Sequence, residues 1–351
     1  MKRLVSSVTL LAAACGGSAL EPAPSATTQI CGEPEFEDGR WDKSGSRLVV
    51  ALGGPVHAAD DVVVRSGSRA EVEAKFAYGP TSKDLQSETV RAAARFEGDC
   101  DWFDVGAAVT NDDGRATIAI DGAQLDREGR YEVRWSVAGD ASEVTAWVYA
   151  IPASQPAVVF DIDGTLTTDD LEAVDGIVLH TVGNTSETLI DLAGSPLSKE
   201  QWMWGLEQVL DENADMYEGA DDVVRHYAEL GYLPVFVTGR PYLFQPISRR
   251  WLETRDFPVG PLFHVQDVTD ALPTYVDDFK ANTILDLERA GLDVDFAYGN
   301  ASTDICAYRM AGVDEANTFI IGKHAGEACD GEGAKTIAVD DYPTHLAGLG
   351  G

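Results

Sequence analysis

The sequence predicts two folded regions in series. Residues 47–150 are expected to form a small Ig-like β-sandwich, and residues 157–351 a doubly wound α/β parallel sheet with an insert over residues 171–217. Two observations carry this. The first region shows short stretches of period-two alternation bounded by Gly or Asp, the mark of half-buried strands at regular spacing. The second alternates apolar runs with helical periodicity, the βαβ pattern of a parallel sheet. With 351 residues the chain is long enough for two ordinary cores.

The opening residues lie outside that scheme. "MKRLVSSVTLLAAACGGS" places Lys2 and Arg3 before an apolar run from Leu4 to Ala14. Such a run is too short to span a bilayer as a mature helix and fits a secretory signal, residues 1–14. "LAAAC" resembles a bacterial lipobox, which implies lipidation of Cys15 as the first mature residue, with an ordinary signal peptide cut near Ala14 as the alternative. Residues 15–46 then read as lipidated terminus and linker, and "GGSALEPAPSATTQ" as a flexible tether. The expected location is outside the cytoplasm, membrane-anchored through the N-terminal lipid and facing periplasm or cell surface. Export puts Cys31, Cys100, Cys306 and Cys329 in an oxidising compartment. Of the three pairings open to four cysteines, Cys31–Cys100 with Cys306–Cys329 keeps each bond inside one region.

In the first region "RAEVEAKFAYG", "RATIAIDG", "RYEVRWSVAGD" and "EVTAWVYAIP" read as strands. "NDDGRA" reads as a turn and not a calcium loop. "IPASQP" is a short linker. In the second region "AVVFDID", "LPVFVTGRP", "VDFAYGN" and "NTFIIG" read as buried strands. "GADDVVRHYAELGY", "YLFQPISRRWLETR", "DDFKANTILDLERAG" and "STDICAYRMAG" read as the helices between and after them. The insert ends in a further amphipathic helix, "LSKEQWMWGLEQVLDENAD", with Ser198 and Gln201 as a capping box.

The charge is lopsided, 59 acidic against 26 basic side chains, for a net charge of −33. Nucleic acid as a partner is excluded, because its binding needs a basic footprint. Loose adsorption to anionic lipid is disfavoured for the same reason.

The chemistry gathers at the strand ends. Alternation places Asp161 and Asp163 on the same side of the chain as the first parallel strand ends. Open α/β sheets bind ligands at that edge. Two carboxylates so close repel unless a cation compensates, and Mg²⁺ is the hard, oxygen-seeking ion that suits them. The second strand ends at Thr238, whose hydroxyl can donate to a phosphoryl oxygen, followed by Gly239 and Arg240 as phosphate-binding candidates. Lys280 is the only lysine between Lys199 and Lys323. Asn300 and Asp304 close the third strand in "YGNASTD".

This order of motifs resembles the haloacid dehalogenase (HAD) superfamily of aspartate-nucleophile phosphotransferases. "GADDVVRHYAELGYLPVFVTGRP", "RRWLETRDFPVGPLF", "AYGNASTDICAYRMAGV" and "YPTHLAGL" look more narrowly like the C-terminal domain of lipins and of the Nir/retinal-degeneration-B phosphatidylinositol transfer proteins. The likeness is nearer to the second group, and upstream it takes in "FAYGP", "VTNDDGRATIAI" and "GRYEVRWSVAGD". It implies a HAD-like fold with an inserted cap, and a Mg²⁺-dependent phosphatase acting through an aspartyl-phosphate. Asp161 would be the nucleophile and Asp163 the proton shuttle. Asp161, the Asp163 backbone, and Asp304 with or without Asn300 would hold the metal, while Thr238 and Lys280 would hold phosphoryl oxygens. The implied substrate is phosphatidate or a related phosphomonoester. The alternatives are a soluble phosphomonoester, or phosphatidate binding without turnover as in the transfer-protein branch, whose aspartate motif is degraded. Here the motif is intact. Trp202 and Trp204 are expected either on a cap at the pocket mouth or packing the inserted helix onto the core.

If Cys15 carries the anchor, wild-type protein should fractionate with membranes and the Cys15→Ser variant should be released, with two or more acyl chains by mass for stable attachment. A wild-type protein already in the soluble fraction would rule the anchor out.

Overall fold

Sixteen strands in the described residues sort into a sandwich and a parallel sheet. The computed structural model describes residues 31–37, 39–79, 82–168, 214–266 and 273–349. Cys15, the leader, Trp202, Trp204 and nearly all of the insert lie outside them.

One layer of the sandwich is β1 (Ala58–Ala59), β3 (Ala70–Lys75) and β8 (Arg115–Ile120), in the order β1-β3-β8. The other runs β2 (Val62–Arg65), β10 (Glu143–Ile151), β9 (Gly129–Val137), β6 (Thr89–Phe96), β7 (Phe103–Val109). A two-residue hairpin, β4 (Ala77–Tyr78) with β5 (Lys83–Asp84), joins them. Alternating side chains meet between the layers, where Val72, Phe76, Val90, Val133, Trp135 and Val148 form the core. "NDDGRA" is a turn: the Asn111 side chain accepts from the backbone N–H of Asp113 and Arg115 at 2.9 Å. β6 was not legible as a strand. Its Ala92, Ala93 and Ala94 favour helix locally, but flanking strands on both sides and burial fix it extended.

The second region is a six-stranded, all-parallel sheet. Its strands are β11 (Gln155–Phe160), β12 (Leu233–Pro241), β13 (Leu262–Val265), β14 (Leu292–Gly299), β15 (Thr318–Ile321) and β16 (Ile337–Val339). The order is β13-β12-β11-β14-β15-β16, so β11 is central. β11 shows why the sheet is doubly wound. Val158 and Phe160 face one core with Tyr227, Trp251 and Tyr342; Ala157 and Val159 face the other with Ala281, Ile284 and Tyr308. The helices are Ala220–Glu229, Gln245–Thr254, Pro273–Ala290, Ser302–Ala311 and Tyr342–Leu349. β13, β16 and the last helix were not anticipated as elements. The helix carrying Lys280 begins four residues before the predicted Asp277. Cys306 and Cys329 are bonded, with Cα atoms 4.8 Å apart, and Cys31 and Cys100 are each disulfide-bonded as well.

The two regions belong to one compact unit, Glu33–Gly351. Val63, Tyr149 and Ile151 of the sandwich pack into the core under the Pro273–Ala290 helix. Polar bonds add direction. The fully buried carboxylate of Asp61 accepts from Arg249 at 2.9 Å and from the backbone N–H of Trp147 and Leu262 at 3.0 Å. Gln245 exchanges two hydrogen bonds with the backbone of Ala59, accepting at 3.1 Å and donating at 2.6 Å.

Replacing Asp61 with Ala leaves two backbone donors and a guanidinium without their acceptor. It should cost about 3 kcal/mol in urea unfolding. Sandwich and sheet should still unfold together, in one transition seen alike by Trp fluorescence and far-UV circular dichroism; two separate transitions in the wild type would contradict the coupling.

Candidate active site

β11 is buried from Ala157 to Phe160 and ends where Asp161 leaves it, so Asp161 and Asp163 emerge at the carboxyl edge of the central strand. The loop then turns sharply. The backbone N–H groups of Thr165, Leu166 and Thr167 all point to the carbonyl of Ile162. Gly164 makes the turn possible: its φ is +68°, and a Cβ there would lie 2.0 Å from Nδ2 of Asn300. Only glycine tolerates both conditions.

The structure brings Asp161, Asp163, Thr238, Arg240, Lys280, Asn300 and Asp304 to this one edge. All are buried, none more than 9% exposed. They form two sets. In the first, the ammonium of Lys280 donates to Asp161 Oδ1 at 2.7 Å and also to Asp304. Thr165 donates to the other Asp161 oxygen at 2.9 Å. Asp304, at the start of the Ser302–Ala311 helix, accepts from the backbone N–H of Asn300 and Ala301 at 3.0 Å. In the second, Arg240 grips both oxygens of Asp163, through Nε at 2.8 and 3.1 Å and Nη2 at 2.6 Å. Thr238 donates to Asp163 at 3.1 Å, and Ser248 accepts from Arg240 at 3.1 Å.

Arg240, expected on the phosphate, is therefore bound to Asp163. Gly239 packs near Val276, which a Cβ would approach to 3.3 Å. Three residues of the site were not singled out from sequence. Thr165 stands inside the "DGT" string and was open to view. Ser248 and His264 come from elements whose placement only the fold reveals.

Charge is unevenly met here. Burial pushes the Asp161 carboxyl well above the usual range; Lys280 opposes this, and Asp304 and Asp163 add to it. Burial works against the Lys280 ammonium, but Asp161 and Asp304 outweigh it and hold its pKa above the ordinary lysine value. Three carboxylates thus face two cations. The oxygen donors at this edge are hard: the carboxylates of Asp161 and Asp304, the Asn300 amide oxygen, and the carbonyl that Asp163 supplies. That donor set fits Mg²⁺ and does not fit a soft metal.

The comparisons agree with this architecture. Residues 202–322 match the family model "PITM 1-3, LNS2 domain". Residues 55–150 match "PITM 1-3, beta-sandwich domain". The LNS2 domain has a HAD-like fold, as the sheet here does. Its matched range includes Thr238, Arg240, Lys280, Asn300 and Asp304, and stops short of Asp161 and Asp163. Among relatives, "Protein retinal degeneration B" of Drosophila melanogaster is 28% identical over 313 residues, 88% of this chain and 21% of the fly protein. "Membrane-associated phosphatidylinositol transfer protein 1" of Homo sapiens is 25% identical over 318 residues, 90% of this chain and 22% of the human one. The chain thus spans about a fifth of the length of these relatives. No helix among the described residues is long and apolar enough to cross a membrane.

His264 pairs in register with Thr238 across β12 and β13, is fully buried, and has no hydrogen-bond partner for either ring nitrogen among the described residues. Burial, then the charges of Arg240 and Arg249, hold its pKa well below the usual imidazole value. A histidine neutral in the fold and free to protonate when unfolded stabilises above its unfolded pKa, and that contribution is lost as pH falls below about 6.5. The urea midpoint of wild type should therefore drop more between pH 7.5 and 5.5 than that of His264→Leu. Equal drops would remove His264 as the source.

Proposed function

We propose that this chain is a phosphomonoester hydrolase in which Asp161 is the nucleophile. The observation that carries the reading is the braced position of Asp161. Thr165 and Lys280 fix its two oxygens at the carboxyl edge of the central strand of a HAD-like sheet. A carboxylate so fixed loses little freedom on attacking phosphorus.

Asp161 attacks in line, its P–O bond forms as the ester P–O bond breaks, and an aspartyl-phosphate results. Water then cleaves the acyl phosphate and regenerates Asp161. Asp163 hands the leaving oxygen its proton and takes one from the water. Thr238 and Lys280 donate to phosphoryl oxygens and offset charge in a loose transition state. Asp161, the Asp163 carbonyl, and Asp304 with or without Asn300 would hold Mg²⁺, which supplies positive charge to offset the phosphate dianion. The surplus of carboxylates at the site supports that need. Phosphatidate or a related phosphomonoester is the proposed substrate, in keeping with relatives named as phosphatidylinositol transfer proteins. Cys15 would keep the protein at an exported membrane face.

A second reading rests on Arg240. It and Thr238 occupy both oxygens of Asp163, so this carboxyl group handles a proton only after the clamp opens. A clamp that stays shut makes the same edge a phosphomonoester-binding site without turnover.

The test is phosphate release from phosphatidate vesicles and from soluble monoesters, with and without Mg²⁺. Wild type should turn over with Mg²⁺, and Asp161→Asn should lose activity by at least about a thousandfold, on the order of 4 kcal/mol of barrier, while keeping its fold. A folded Asp161→Asn protein with near wild-type turnover would take Asp161 out of the nucleophile role. Binding without release by the wild type would favour the second reading.

A further inference from the structure

Beside the nucleophile loop a cavity of about 220 Å³ opens on the same edge of the sheet. The loops after β11, β14 and β15 wall it, with Thr168, Tyr217, Asn300, Ser302, Lys323 and His324 supplying the polar lining. Gly164 and Asn300 belong both to this cavity and to the site around Asp161.

Two features of the wall go against the rest of the molecule. The chain has 59 acidic side chains, yet among the described residues no carboxylate lines the cavity. Lys323 is exposed and has no ion pair among the described residues. His324 is paired at 2.8 Å with Glu327, so the uncompensated charge is that of Lys323. Gly322, at φ +85°, turns the chain directly after β15 and so sets Lys323 at this edge. The loop that follows is fastened: Cys329 is bonded to Cys306, two residues beyond Asp304 on the same helix, and Arg309 donates to the Glu332 carbonyl at 2.8 Å.

We propose that this cavity receives the non-reacting part of the substrate, and that Lys323 selects a compact group bearing a second negative charge, such as a carboxylate or another phosphate. Its size and polar lining suit a short polar group and do not suit acyl chains. An ammonium without a carboxylate partner among the described residues discriminates by charge, since a neutral analogue leaves it without one. The inference rests on the phosphatase reading for the reacting end and, for the other end, takes a soluble phosphomonoester over phosphatidate.

Glycerol 3-phosphate and 3-phosphoglycerate differ at one end by a carboxylate, and so serve as probes with Mg²⁺ present. Wild type should prefer 3-phosphoglycerate in kcat/KM, and Lys323→Ala should reduce that preference about tenfold, mainly through KM, with Lys323→Arg restoring most of it. An unchanged preference in a folded Lys323→Ala protein overturns the proposal and leaves the phosphatase reading intact. Phosphatidate vesicles form a separate arm: turnover of them above both soluble probes and indifferent to Lys323 also overturns it. If wild type releases phosphate from none of these, the phosphatase reading fails, and calorimetric titration with 3-phosphoglycerate decides the cavity. Binding that Lys323→Ala abolishes upholds it; no binding, or equal binding by both proteins, refutes it.

Discussion

One buried ammonium holds the carboxyl edge of the parallel sheet together. Lys280 reaches from the middle of the Pro273–Ala290 helix and bonds Asp161 at the end of β11 and Asp304 at the start of the Ser302–Ala311 helix. Without it two carboxylates would be buried side by side with no counter-charge, a cost of several kcal/mol. The cross-brace explains why three elements from separate stretches of chain converge within hydrogen-bonding distance. It also orients the Asp161 carboxylate, since Lys280 holds one oxygen and Thr165 the other.

A second pair, Arg240 with Asp163, occupies the opposite flank, and its position depends on the sandwich. Arg240 stands near the end of β12, and the helix Gln245–Thr254 supplies Ser248 to its guanidinium. That helix is in turn tied to the sandwich by Gln245 on Ala59 and Arg249 on Asp61. The chain of contacts therefore runs from the β-sandwich to the side chain that grips the second aspartate. In the relatives, too, the similarity runs across both regions, over 313 residues in the fly protein.

Much of this was legible from residues alone. The strand ending in Asp161 and Asp163 announced itself by an apolar run stopping at charge, and Thr238, Lys280, Asn300 and Asp304 by their places after predicted strands or within helices. Fold class followed from periodicity. What stayed hidden depended on tertiary placement. β6 is written in alanine, whose local preference is for helix. β13 is four residues long and gives too little period to read. Arg240 sits next to Thr238 in sequence, and nothing local says that its guanidinium turns to Asp163 and away from a phosphate. Ser248 and His264 carry no motif at all, and their positions come from sheet order and helix packing.

Only residues 152–154 separate β10, the last strand of the sandwich, from β11, the strand that ends at Asp161. Ile151 and Tyr149 of β10 already lie in the core beneath the lysine-bearing helix. A gene fragment that began cleanly at the parallel sheet would leave that core unroofed. The transferable cassette is the pair, and an engineer seeking the smallest working version of this site must graft the sandwich with it.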